Sequence, residues 1–282
     1  MRLPSPLLAS LLVCALALTK AGAQTCMQPI CQASSDTVAM PRLTRHVWLW
    51  GAGKANVLDT YLSPLEYSGP NFSLAHQTER SARWGKGRVT TYSLYTGHVG
   101  YLSSPTDNGK EWDSELTAAG GWHYNWRLCP NLRIAAGGLA ELSGGFTYNT
   151  RGSNNPAQGR MGIALSASGL AEYSFPLFRQ RATARVQADM QLAGLQFSPS
   201  YGQSYYEIFS LGHSAGILHF TQPGNCPSFR IQGQLTLPVS GAHLTLGYLG
   251  DIRQSALGGL KRHAWRHGIL IGYTRTLALI RK

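Results

Sequence analysis

Apolar and small or polar positions alternate along this chain. Met161, Ile163, Leu165, Ala167, Gly169, Ala171, Tyr173 and Phe175 form one series, and Gly162, Ala164, Ser166, Ser168, Leu170, Glu172 and Ser174 the other. Period two belongs to a strand with two different faces. The same pattern recurs at about 46–53, 71–80, 88–102, 112–127, 132–143, 181–192, 229–237, 244–253 and 268–276, so ten strands are expected. On the fourth, Trp112, Leu116, Ala118, Trp122, Tyr124 and Trp126 oppose Asp113, Glu115, Thr117, His123, Asn125 and Arg127. A buried soluble core would need larger apolar residues on its inner face. One apolar face opposite a face of Arg, Glu, Asp and His instead predicts an all-β fold, a transmembrane antiparallel up-and-down β-barrel of ten strands. Reading 205–209 and 217–221 as a further hairpin would raise the number to twelve.

The connections sharpen this expectation. Trp84-Gly85-Lys86-Gly87, Cys129-Pro130-Asn131, Phe178-Arg179-Gln180-Arg181 and 238–242 read as short turns. Residues 54–69, 105–109, 150–159, 198–225 and 255–266 read as longer loops, and they alternate with the turns. Both termini then fall on one side, with long loops facing outward. The N-terminus reads as a secretory leader: Arg2, an apolar run from Leu7 to Leu18, and a cleavage site at Ala21-Gly22-Ala23. The expected organisation is a signal peptide over 1–23, a periplasmic tail over 24–45 and the barrel over 46–282. The closing Leu279-Ile280-Arg281-Lys282 lacks the terminal aromatic common in outer-membrane barrels.

Charge changes the picture of partners. The net charge is +12, and removing Arg2 and Lys20 with the leader leaves +10. No dense basic run points to a nucleic-acid groove. On an exported barrel a basic surface suits outer-membrane lipid and lipopolysaccharide, and envelope proteins are further candidate partners for what is expected to be a monomer. The mature cysteines Cys26, Cys31, Cys129 and Cys226 lie in a compartment that permits disulfides, and their pairing stays open. They show no metal-ligand spacing, and no cofactor is expected.

Two segments, Asn56-Val57-Leu58-Asp59-Thr60-Tyr61-Leu62-Ser63-Pro64-Leu65-Glu66-Tyr67 and Tyr201-Gly202-Gln203-Ser204-Tyr205-Tyr206-Glu207-Ile208-Phe209, together with Gly247-Tyr248, Arg253-Gln254-Ser255 and Ile271-Gly272-Tyr273, carry a resemblance. The chain resembles an uncharacterised family of exported Gram-negative β-barrel proteins, one of the domain-of-unknown-function families. The resemblance implies an outer-membrane barrel and transfers no catalytic residue.

Three chemistries are open to such a chain. The inner face carries Asp113, Glu115, His123, Arg127, Arg133, Glu141, Glu172, Arg185 and Asp189, and in a barrel this narrow they are expected to fill the lumen as a charge ladder rather than line a conducting path. A lipid or lipopolysaccharide hydrolase would need a base and a nucleophile at the rim. His213 with Ser214, near His219 and Glu207, and His263 with His267, near Asp251, are the candidates. No G-x-S-x-G context supports them, and adjacent strand residues such as His213 and Ser214 point to opposite faces. The third chemistry is binding. Asp59, Tyr61, Glu66, Tyr67, Tyr201, Gln203, Tyr205, Tyr206 and Glu207 lie on predicted outer loops, where they can hold saccharides or proteins, or pack on one another as a cap. The reading is a structural, binding or assembly component at the cell surface, with hydrolase and narrow channel or transporter as alternatives.

Overall fold

The computed structural model describes residues 42–152, 155–177, 180–239 and 242–279. The expected leader and most of the expected periplasmic tail, including Cys26 and Cys31, lie outside the described residues. Seven long strands come first: β1 (Arg42–Asp59), β2 (Glu66–Ser81), β3 (Val89–Ser103), β4 (Lys110–Cys129), β5 (Leu132–Asn149), β6 (Ala157–Leu177) and β7 (Gln180–Phe197). A short helix α1 (Tyr205–Phe209) follows, then β8 (Leu218–Thr221), β9 (Phe229–Val239), β10 (Ala242–Leu257) and β11 (Leu260–Leu279). All neighbours are antiparallel, and β1 pairs with both β2 and β11, which closes the sheet on itself. Among the described residues only the short β8 and the end of β10 beyond Ile252 lack a strand on one side.

Eleven strands make ten lanes. β8 pairs with β7 from Gly194↔Thr221 to Phe197↔Leu218, and β9 pairs with β7 from Thr183↔Thr236 to Met190↔Phe229. The two therefore run end to end along one side of β7, separated by residues 222–228. The expected ten-stranded barrel holds. The twelve-strand alternative fails because 205–209 is helical and 218–221 shares its lane with β9.

Strand lengths are underestimated in the sequence pattern. β1 starts at Arg42 and runs to Asp59, so 54–59 is strand rather than loop, and β2 begins at Glu66. The expected loop 255–266 is a two-residue turn, Gly258–Gly259, between long strands. The reason lies in the side chains. At this level β11 turns arginines inward, Arg262 and Arg266, and His263, Trp265 and His267 outward. Neither face is apolar, so the alternation is invisible to hydropathy although the pairing continues to Asp59↔Arg262.

The outer wall is apolar and exposed: Leu116, Leu142, Met161, Ile163, Leu165, Val186, Leu246, Ile269 and Ile271 all face out. Aromatics bound it. On β4, Trp112 meets Tyr101 at a tilt (4.7 Å) towards one end, and Trp122 meets Trp84 (6.2 Å) towards the other. Ten residues of strand tilted by about 45° rise about 24 Å, the height of an outer-membrane apolar band. The seam between β1 and β11 is tight: a Cβ at Gly272 would sit 1.7 Å from the Trp48 carbonyl oxygen. Only glycine permits that approach.

Candidate functional site

The lumen is the most heavily built part of the molecule. Towards the end where β1 starts, termed here the turn end, Glu79 accepts from Arg185 Nη1 at 2.5 Å and from Arg133, and Glu172 accepts from Arg45 Nη1 at 2.6 Å. In the middle, Gln234 Nε2 donates to Gln77 Oε1 at 2.8 Å, and Gln77 donates to Gln232. Beside them Ser168 Oγ donates to Asp189 at 2.6 Å, and His123 Nε2 lies 2.8 Å from Ser168 Oγ. Nearer the opposite end, the loop end, Asp113 meets Arg266 Nη2 at 2.5 Å, Arg160 Nη2 at 3.2 Å and Thr147 Oγ1 at 2.7 Å. Glu141 meets Arg253 Nη1 at 2.6 Å and Arg230 Nη2 at 3.1 Å, and Asp251 meets Arg253 Nε at 2.9 Å and His98 Nε2 at 3.3 Å.

These contacts cross the barrel. Arg45 on β1 reaches Glu172 on β6, Arg160 on β6 comes within 3.6 Å of Asp59 on β1, and Arg253 on β10 comes within 3.7 Å of Glu115 on β4. In a ring of ten lanes each of these pairs is five lanes apart, on opposite sides. Side chains therefore meet across the full diameter at two levels, one near the turn end and one near the loop end. Beside the second lies a small solvent-connected cavity, lined by Arg160, Arg253, Arg262, Glu115, Ser228 and Cys226. Of the charges expected inside, only Arg127 lies elsewhere, exposed at the turn-end rim.

The two Tyr-rich segments come together at the loop end. Tyr61 Oη donates to the Gln203 carbonyl at 3.2 Å, and its ring meets Tyr205 edge-on at 5.9 Å. Burial, with the nearby Tyr205 and Asp59 adding to it, pushes the Tyr61 hydroxyl up to about 12, so it stays a donor. Tyr205 Oη accepts from Gly159 N at 2.7 Å and donates to Gly159 O at 3.1 Å, and Tyr201 N donates to Gly258 O at 2.8 Å. Segment 198–217 thus touches the β1–β2 connection, the start of β6 and the β10–β11 turn. Its helix is short and fixed by a reciprocal cap: Ser204 Oγ accepts from Glu207 N, and the Glu207 carboxylate accepts from Ser204 N at 2.7 Å. Gln203 Nε2 adds a bond to His213 O at 2.6 Å.

The remaining candidates scatter. Asp59 and Tyr67 are buried, Asp59 between Arg160 and Arg262 and Tyr67 under Asn149 Nδ2 at 3.1 Å. Glu66 is exposed and faces His263 at 3.6 Å. Tyr201 and Tyr206 are exposed on the cover. His213 and Ser214 are exposed on it too, and His213 N donates to Glu207 O at 2.9 Å. His219 bonds the Ser198 carbonyl instead. His263 contacts Asn56 Oδ1 at 2.7 Å and His267 contacts Tyr248 Oη at 2.6 Å, both on the outer wall, whereas Asp251 is inside. The structure does not bring those histidines to that carboxylate. The inward arginines Arg160, Arg262 and Arg266 went unnoticed in the sequence; the i, i+4 spacing of Arg262 and Arg266 was their one signal.

A barrel with a charge-filled lumen and a loop-end cover can now be set beside known proteins. The family described as protein of unknown function, DUF3316, matches residues 9–282. The chain belongs to this family. No curated protein matches it in sequence. Among solved structures it is similar to Ail, the attachment invasion locus protein of Yersinia pestis, solved with the heparin analogue sucrose octasulfate. That match has 9% identity and a TM-score of 0.34, covering 82% of this chain and 99% of that one. The translocator domain of the autotransporter NalP from Neisseria meningitidis matches at 11% identity and a TM-score of 0.39, over 84% and 90% of the two chains. The transport unit of AIDA-I from Escherichia coli matches at 9% identity and 0.38, over 90% and 97%. Likeness at this level carries no functional argument, and the DUF3316 barrel stands on its own strand pairing.

Proposed function

We propose that this DUF3316 protein is a monomeric outer-membrane barrel that does not conduct, and that serves as a binding component at the cell surface through its loop end. The observation that carries this reading is the lumen. Charged side chains pair across its diameter at two levels, and a hydrogen-bonded cover lies above them. A pore needs a continuous wet path, whereas a binding scaffold needs a rigid barrel beneath shaped loops. The faces offered to a ligand are Tyr201 and Tyr206 on the cover and Glu66 beside it. Tyrosines there supply large contact area with few side-chain torsions to freeze. Export with cleavage after Ala23 belongs to the same reading.

Planar-bilayer recording is the test. The purified barrel should give no unitary steps, and a steady unitary conductance overturns the reading. A Ser214→Cys variant labelled on intact cells by a membrane-impermeant maleimide should mark the cover as external. Labelling only after cell lysis would place the loop end inside.

A further inference from the structure

The net positive charge has an address. Inside the lumen, arginines and carboxylates are nearly equal in number and pair with each other. At the loop end, exposed Lys54, Arg151 and Lys261 and half-buried Lys110 are mixed with Glu66, Asp107 and Glu207. The turn end is different. Arg80, Arg83, Lys86, Arg88, Arg127, Arg181 and Arg275 surround it, and among the described residues none of them pairs with a carboxylate. The acids at this level, Glu79 and Glu172, are inside with Arg45, Arg133 and Arg185.

The geometry fixes the height of this collar. The turn 82–88 folds Trp84 back into contact with the wall. Gly85, Lys86 and Gly87 all have positive φ (84°, 49° and 78°), and this tight reversal lays Trp84 against Trp122 of the wall at 6.2 Å. Arg88 Nη1 donates to Tyr124 Oη at 3.2 Å, and the Tyr124 ring meets Trp126 at a tilt, 4.9 Å away. Exposed Trp and Tyr mark the level where acyl chains give way to headgroups, so the cations of this turn stand at headgroup height. A ring of unpaired cations held there by aromatics fits anionic headgroups rather than a protein below the membrane.

The geometry points to a binding site for anionic phospholipid: a collar of Arg83, Lys86 and Arg88, extended by the other rim cations, that selects headgroups of net negative charge from the leaflet at the turn end. It rests on the membrane-barrel reading and adds a lipid class and a leaflet to it.

The test uses the full chain refolded into phosphatidylcholine vesicles containing a minor fraction of brominated lipid, with tryptophan quenching as the readout. Brominated phosphatidylglycerol should quench more than brominated phosphatidylcholine at equal fraction. The expected preference in relative association is about fivefold, one basic residue's worth of attraction to a charged surface, and it should weaken in salt. The triple variant R83Q/K86Q/R88Q should lose the preference, and K54Q/K110Q/K261Q at the loop end should keep it. Equal quenching by both lipids overturns the collar, as does a preference that disappears with the loop-end variant instead. Retained mobility shift on boiling shows that each variant is a folded barrel. A folded, inserted protein without lipid preference defeats the collar alone, whereas failure to insert in any vesicle defeats the membrane-barrel reading as well.

Discussion

Two sets of cations in this barrel keep opposite company. Arg45, Arg133, Arg160, Arg185, Arg230, Arg253, Arg262 and Arg266 point inward, and each lies within 4.0 Å of at least one carboxylate. Arg80, Arg83, Lys86, Arg88, Arg127, Arg181 and Arg275 ring the turn end with no carboxylate partner among the described residues. Burial explains the first set: a guanidinium taken from water must be returned a counter-charge, or the fold carries several kcal/mol of uncompensated desolvation. Nothing in folding explains the second. Solvated cations at a rim stabilise little, and clustered without acids they repel. The inner set therefore bridges the lumen, and the outer set reads as a surface kept for a partner.

Breaking the inner set should have the largest effect. Asp113 is the acceptor for Arg266, Arg160 and Thr147, and comes within 3.5 Å of Arg262. Asp113→Ala leaves these guanidinium groups facing each other in a closed space and should cost about 3–5 kcal/mol. The urea midpoint at which the fast-migrating, unboiled band disappears reads this directly. The rim variant R83Q/K86Q/R88Q, in zwitterionic vesicles, should stay within about 0.5 kcal/mol of the parent. If Asp113→Ala unfolds no more easily than the rim variant, the distinction between the two sets collapses.

The cover lies between these extremes, being held by hydrogen bonds rather than ion pairs. Tyr205 is its firmest point, bonding both the N–H and the C=O of Gly159. Tyr205→Phe should loosen segment 198–217 by about 1–2 kcal/mol while leaving the barrel midpoint unmoved. Limited proteolysis should then cut within that segment faster than in the parent, with the strands intact. Cleavage that is unchanged would mean the cover is held from elsewhere, with the Tyr61–Gln203 contact the next candidate.

Legibility from sequence followed the same division. Inward acids on β4, β5 and β6 stand out because an apolar residue flanks each one, so the pattern alone places Asp113, Glu115, Glu141 and Glu172 in the lumen. The upper parts of β10 and β11 are not legible because their inward and outward positions are both largely polar, and on β1 the inward Ala55 and Val57 are apolar while Lys54 and Asn56 face out, the reverse of a lipid-facing strand. Asp59 and Arg262 were thereby assigned to loops, although they are paired strand residues inside the barrel. Which residues a long loop will touch cannot be read from local pattern, since Tyr61 and Gln203 are 142 positions apart. The collar was visible only as excess charge. Its location needs the barrel, because Arg275, Arg127 and the 82–88 turn meet at one rim only after closure.

The smallest expected effect lies in α1, and its sign follows from Glu207. The Ser204 backbone N–H and hydroxyl hydrogen-bond this carboxylate and hold it below its ordinary value. A carboxyl whose folded-state value is depressed contributes stability above its unfolded value and loses it as the pH falls through the folded one. The cap should thus be intact at neutral pH and weaken progressively once the pH drops below about 4.3. Amide exchange at Ile208, whose N–H donates to the Ser204 carbonyl at 3.1 Å, should lose protection over that window after correction for intrinsic rates. Protection in Glu207→Gln should be flat across the same range, because an amide has no proton to gain there. A parent protein equally flat into strong acid would show that contacts on the barrel mouth, and not the Ser204–Glu207 cap, hold this turn of helix in place.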